Sequence, residues 1–204
     1  SLAAGDLDGG GYDEIIFLAS DGNPSSVNVV SGSAGIVGLT GDIQTVRSQV
    51  ISFAVNQGYG ALAAGDIDLD GRSDLLIGNP FASPNAVMWA GEAYLFLGHN
   101  PLDAALDADA DGDLVIQSEE DGDGLGQQLA MGDLDGDDIP DLIVGSPQAN
   151  VSGRNSAGKV FLFFGTTVQG ILGLLPVPLA GPVGLGILIM LLMGAGAYTR
   201  MRGA

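Results

Sequence analysis

The chain has 204 residues, enough for one domain with a real core, and carries 25 acidic against 6 basic side chains for a net charge of −19. That balance argues against nucleic acid as a partner, and the absence of cysteine excludes disulfides and thiolate metal sites. Because 46% of the residues are hydrophobic and fall in recurrent short runs, the chain is too apolar for a disordered acidic tail; its carboxylates need spacing or neutralisation, and divalent cations suit that role.

The first phrase, SLAAGDLDGGGYDEIIF from Ser1, returns as ALAAGDIDLDGRSDLLIG from Ala61 and QLAMGDLDGDDIPDLIVG from Gln128, a repeat of roughly 60 to 67 residues. Opening in mid-phrase, with neither an initiator Met nor a signal peptide, the chain reads as a fragment or a processed product. After each phrase comes a β-branched and aromatic run, Val27 to Val30, Ala93 to Leu97 and Val160 to Phe164, closed by Gly32, Gly98 and Gly165. Runs this short between glycines predict strands. Further runs at Val50 to Ala54 and Leu114 to Ile116 bring a unit to about four strands, the content of a propeller blade. The fold class is all-β, with blades over about 1–58, 59–124 and 125–165. Three blades are fewer than the usual minimum of about four for a closed ring, so others belong to the same precursor or to another chain.

Within the phrases the carboxylates alternate. In the second unit Asp66, Asp68, Asp70 and Asp74 hold positions 1, 3, 5 and 9 of a loop, with Gly71 at position 6 and the carbonyl of Arg72 available at position 7. Alternate oxygen donors in a tight turn suit calcium, which takes six to eight of them at about 2.3 to 2.6 Å. The third unit repeats the set as Asp133, Asp135, Asp137 and Asp141, with the Ile139 carbonyl, and with Asp138 where the turn glycine stood. Asp tolerates the left-handed backbone better than most residues, so the loop is expected to survive. The first unit offers Asp6, Asp8 and Glu14 but has Gly10 at position 5, which predicts the weakest site. An EF-hand would need an acidic residue at position 12, where Ile77 or Val144 stands instead. A fourth alternating group, Asp107, Asp109, Asp111 and Asp113, lacks a position 9 ligand and is expected to be a solvated loop.

The order of these elements resembles the FG-GAP repeats of integrin alpha-chain propellers and their bacterial relatives. The FG element stands at Tyr59-Gly60 and Leu125-Gly126, and the GAP element at Gly78-Asn79-Pro80 and Gly145-Ser146-Pro147, with the acidic loop between them. The first unit departs, with Phe17-Leu18-Ala19-Ser20 in place of GAP. The resemblance covers residues 1 to about 165 and implies a seven-bladed propeller in the complete protein, calcium in the loops, and a role in adhesion or ligand recognition. A protein or glycan ligand on a propeller face is the implied partner.

After a linker, 166–178, an apolar span over 179–199 is long enough to cross ~30 Å of hydrocarbon as a helix, and Arg200 and Arg202 follow it. Cations directly after such a span predict a cytoplasmic end, 200–204, with the repeats on the opposite, extracytoplasmic side, membrane-anchored at a cell surface. The order Pro176-Val-Pro178, apolar span, arginines resembles the sorting tails of exported bacterial proteins, the exosortase-processed class among them. His99 is the only histidine, cysteine is absent, and no triad or phosphate-cradling loop is visible, so the sequence predicts no enzyme. Met88 and Trp89, in a connection of the second unit, are candidates for ligand contact or for packing between blades; a structural surface or matrix protein without a specific ligand is the alternative function, and a propeller-based carbohydrate-active enzyme a further one.

Overall fold

The computed structural model describes residues 1–19, 26–33, 49–52, 60–98, 105–174 and 197–201. Three antiparallel units follow the three phrases. The first comprises β1 (Leu2–Gly5), β2 (Glu14–Ala19), β3 (Ser26–Val30) and β4 (Gln49–Ser52), paired in chain order. β5 (Leu62–Gly65), β6 (Asp74–Asn79), β7 (Glu92–Phe96) and β9 (Leu114–Ser118) form the second in the same way, and β10 (Gln128–Gly132), β11 (Asp141–Ser146) and β12 (Lys159–Phe163) the third. Chain-order meanders of this kind are the form of propeller blades.

The strands lie where β-branched and aromatic residues cluster, because each central strand is covered on both faces. All of β6 and β7 is buried, which is why DLLIGN and EAYLF read as continuous runs rather than alternating ones. The cores lie between the sheets. Leu7, Ile16, Val27 and Val29 of the first unit pack with Leu75, Ile77, Tyr94 and Phe96 of the second. On the other face of the second unit, Ile67, Leu76, Leu95 and Ile116 meet Leu125, Leu142, Val144 and Phe161 of the third. The first strands β1, β5 and β10 run next to one another.

Close approach of backbones at the second seam explains the glycines of the FG and GAP elements. A Cβ on Gly78 would overlap the carbonyl of Gly126, and one on Gly60 would overlap the carbonyl of Gly78. Hydrogen bonds lock the same place: the Gly126 N–H donates to the Gly145 carbonyl at 3.1 Å and the Gly78 N–H to the Ala61 carbonyl at 3.0 Å.

Two edges differ from the sequence expectation. β8 (Ala105–Asp107) runs parallel to β4 and leads into a four-residue helix, α1 (Ala108–Asp111), where a solvated acidic loop was predicted. Asp113 there accepts a hydrogen bond from the Leu97 N–H at 2.8 Å, so one carboxylate of that group has a structural use. After Gly165 the expected linker begins instead as a helix, α2 (Gly165–Ile171), which buries Val168 and Gln169. β13 (Ala197–Met201) pairs antiparallel with β9, with Arg200 opposite Val115. Residues 179–196 of the predicted span, and Arg202, lie outside the described residues. Among the described residues no helix is long and apolar enough to cross a membrane.

Candidate metal centre

Each β1–β2-type connection is a nine-position acidic loop, and the three share one backbone pattern. Position 4 is left-handed in all of them, at Gly9 (φ 73°), Leu69 (φ 60°) and Gly136 (φ 84°). Position 6 is left-handed as well, at Gly11, Gly71 and, as expected for an aspartate there, Asp138 (φ 66°). Leu69 holds this backbone without being glycine, a cost of order 1 kcal/mol or more that the surrounding hydrogen bonds must offset.

Those bonds come from the aspartates themselves. Asp66 accepts from the N–H groups of Asp70 (3.1 Å) and Gly71 (2.9 Å), Asp68 from Asp70 (3.1 Å), and Asp70 from Arg72 (2.8 Å). In the third loop Asp133 accepts from Gly136, Asp137 and Asp138, Asp135 from Asp137, and Asp137 from Ile139. The first loop makes two such bonds, Gly10 to Asp8 and Gly11 to Asp6.

This folding brings three oxygen groups together: Asp6, Asp8 and Glu14; Asp66, Asp68 and Asp70; Asp133, Asp135 and Asp141, each with ligand-type atoms within 4.8 Å of one another. The sequence reading assigned a fourth carboxylate to the second and third sets, and the structure groups them differently. Asp137 stands outside the third trio and Asp74 outside the second. The Arg72 side chain lies 3.6 Å from Asp70 and half exposed, while that of Ile139 is buried in the second core.

The position 9 residues have a second role that the sequence did not reveal. Glu14, Asp74 and Asp141 are at most 1% exposed. One oxygen of each accepts the N–H of loop position 2, Leu7 (2.7 Å), Ile67 (2.7 Å) or Leu134 (2.8 Å). The other accepts the N–H of the glycine that ends the third strand, Gly32 (3.1 Å), Gly98 (2.8 Å) or Gly165 (2.9 Å). A carboxylate here staples the loop to its own blade, with or without an ion. Each of these glycines closes the run that follows its phrase, but nothing local marks it as the partner of position 9.

Crowded carboxylates shift one another. Burial pushes Asp74 up to about 7, with Asp68 and Asp66 adding repulsion, against the lowering effect of the Gly98 and Ile67 N–H groups. Asp68 is raised by burial and then by its neighbours Asp70 and Asp66, and Asp135 by lost hydration and then by Asp137 and Asp141. Asp133 is lowered, foremost by the Gly136 N–H. A folded pKa above the unfolded value contributes stability below the unfolded value and loses it as pH rises through the folded one. For Asp74 that window runs from the model-peptide 3.8 to about 7. Chelated protein is therefore expected to be more stable at about pH 5 than at about pH 8, by on the order of 2 kcal/mol, in urea unfolding.

The residues fit a hard cation. The donors are all oxygens, they converge, and Asp6 Oδ1 is a buried oxygen without a hydrogen-bond partner. Residues 58–96 and 125–163 both match the family described as FG-GAP repeat. Two segments of the chain are thus similar to FG-GAP repeats. The second and third blades supply these two FG-GAP matches; the first blade, whose GAP element is replaced, lies outside them. Phosphatidylinositol-glycan-specific phospholipase D of Rattus norvegicus is 31% identical over 140 residues, covering 63% of this chain and 16% of that protein. Integrin alpha pat-2 of Caenorhabditis briggsae is 28% identical over 182 residues, covering 81% of the chain and 14% of the relative. A phospholipase D of the same name from Dictyostelium discoideum is 28% identical over 183 residues, 78% of the chain and 19% of the relative. The chain thus spans less than a fifth of these relatives' length.

These relatives correct the expectation that the chain is no enzyme. Several of them, from rat, human, cattle, mouse and slime mould, are named as a phospholipase D, although the match covers only the FG-GAP region. The missing triad described only these 204 residues. His99, the one candidate weighed for catalysis, lies outside the described residues.

Proposed function

We propose that the chain is a calcium-binding FG-GAP propeller module for recognition of a protein or glycan in the extracellular space or at the cell surface. The convergence of three all-oxygen carboxylate groups in loops of one backbone pattern carries this reading. Asp66, Asp68 and Asp70 would hold one ion, Asp133, Asp135 and Asp141 a second, and Asp6, Asp8 and Glu14 a third, with the carbonyls of Arg72 and Ile139 as further donors. Calcium there would cancel the mutual repulsion of the loops and fix their left-handed turns.

Recognition belongs at the other end of the blade. β6 has the acidic loop at one end and the connection Pro80–Gly91 at the other, where Phe81, Met88 and Trp89 are 40%, 58% and 57% exposed. The Trp89 backbone is left-handed (φ 52°) and its N–H is held by Ser83 Oγ at 3.1 Å, so the indole is presented on a fixed loop. Exposed aromatics on an ordered loop suit ligand contact.

Thermal unfolding in calcium and in chelator tests the metal part. Calcium at a hundredfold excess over its dissociation constant is expected to add about 2.7 kcal/mol per site, raising the melting temperature. In the Asp68→Ala, Asp135→Ala double variant the rise should shrink to at most the share of the weaker first loop. Equal melting temperatures with and without calcium would reduce the loops to acidic turns.

A further inference from the structure

Neighbouring blades are linked beside their acidic loops at both seams, but in different chemistry. At the first seam Ser73, at position 8 of the second loop, donates its N–H to the carbonyl of Asp6, at position 1 of the first, at 2.7 Å. Gly5 and Gly65 mark the equivalence of the seams, the one facing Ser73 and the other Pro140. Pro140 is position 8 of the third loop and has no N–H, so the second seam cannot make this bond.

A side chain supplies a link instead. Gln169 of α2 is 3% exposed, and its Nε2 donates to the carbonyl of Ile67 at 2.6 Å, 102 residues away in the chain. Ile67 sits between Asp66 and Asp68, and its own N–H is held by Asp74, so both sides of this loop position are clamped. The same helix begins at Gly165, whose N–H donates to Asp141, a member of the third oxygen group. Val168, fully buried, packs the helix onto the core shared by the second and third blades.

We propose that Gln169 is a positioning residue that couples the second acidic loop to the third, so that cation binding in these two loops is cooperative. The proposal rests on the reading of the loops as cation sites. An ion drawing on Asp141 further restrains the start of α2, already held by Asp141; one turn later Gln169 holds the Ile67 carbonyl and with it the placement of Asp66 and Asp68. Occupancy of the third loop thereby favours the bound form of the second, and the reverse holds equally by linkage.

Calcium titrated calorimetrically into the full chain, with the first loop silenced by Asp8→Asn, tests this. With Gln169 present, Asp135→Asn in the third loop is expected to weaken binding at the second about tenfold, the scale of one buried hydrogen bond. Gln169→Met fills the same volume without a donor; it should weaken the second loop about tenfold by itself, and adding Asp135→Asn should then change it by less than about twofold. Val168→Ala loosens the same helix without removing the Gln169 amide that holds the Ile67 carbonyl, and should lower the melting temperature while leaving affinity within about twofold. Independent, additive effects of Gln169→Met and Asp135→Asn would overturn the coupling while leaving the cation sites standing. Equal loss of affinity in Val168→Ala would overturn the role of the amide. Absence of any calcium heat in the parent chain would instead overturn the cation reading on which the coupling rests.

Discussion

Replacing Asp141 by alanine is expected to lower the unfolding free energy of the calcium-free protein by about 3 kcal/mol, because two backbone N–H groups, Leu134 and Gly165, lose their acceptor together. Asp141 is fully buried, so no water stands ready to replace it. Urea unfolding in chelator isolates this effect from metal binding. In the same experiment Asp135→Ala, at an exposed carboxylate that accepts the Asp137 N–H, should cost far less. Equal costs for the two would mean that position 9 acts through the ion alone and that the staple is unimportant.

A larger loss is expected from Gly78→Ala. Its new methyl would overlap the Gly126 carbonyl of the next blade, and the obstacle is backbone on both sides, so neither partner can rotate away. A cost above about 4 kcal/mol, seen as insoluble or unfolded protein, is the expected result. Gly132→Ala is the matched control: it lies in β10, meets nothing within 4 Å and has no left-handed backbone, so its effect should stay within about 0.5 kcal/mol. A folded, stable Gly78→Ala protein would contradict the close seam between the blades.

Much of this architecture is legible in the sequence because its period is written in chemistry with fixed geometry. The phrase returning at Ala61 and Gln128 marks β5 and β10, and the apolar runs at Val27, Ala93 and Val160 coincide with β3, β7 and β12 within a residue or two. The left-handed turn at Asp138 follows from its place in the loop. Other features depend on contacts far apart in the chain and leave no local mark. Helix α2 has Phe164 at its N-cap, no capping side chain, and two threonines and two glycines within seven residues. Its propensity is poor, and it is held by Val168 in the core shared by the second and third blades and by Gln169 against Ile67 of the second. Asp74 was readable as an oxygen donor but not as a staple, since Gly98 lies 24 residues on and only the closed blade brings the two together. The pairing of Ala197–Met201 with β9 is likewise a matter of an open sheet edge and not of local sequence.

The calcium content of the folded chain tests the central claim most directly. Protein equilibrated in calcium and passed into metal-free buffer is analysed for bound metal beside the Asp68→Ala, Asp135→Ala variant. The account predicts calcium retained by the second and third loops, with a weaker fraction from the first, where Gly10 takes the place of a carboxylate. The double variant should retain at most that weaker fraction. A chain that folds and holds no calcium, or one whose calcium survives both substitutions, would contradict it.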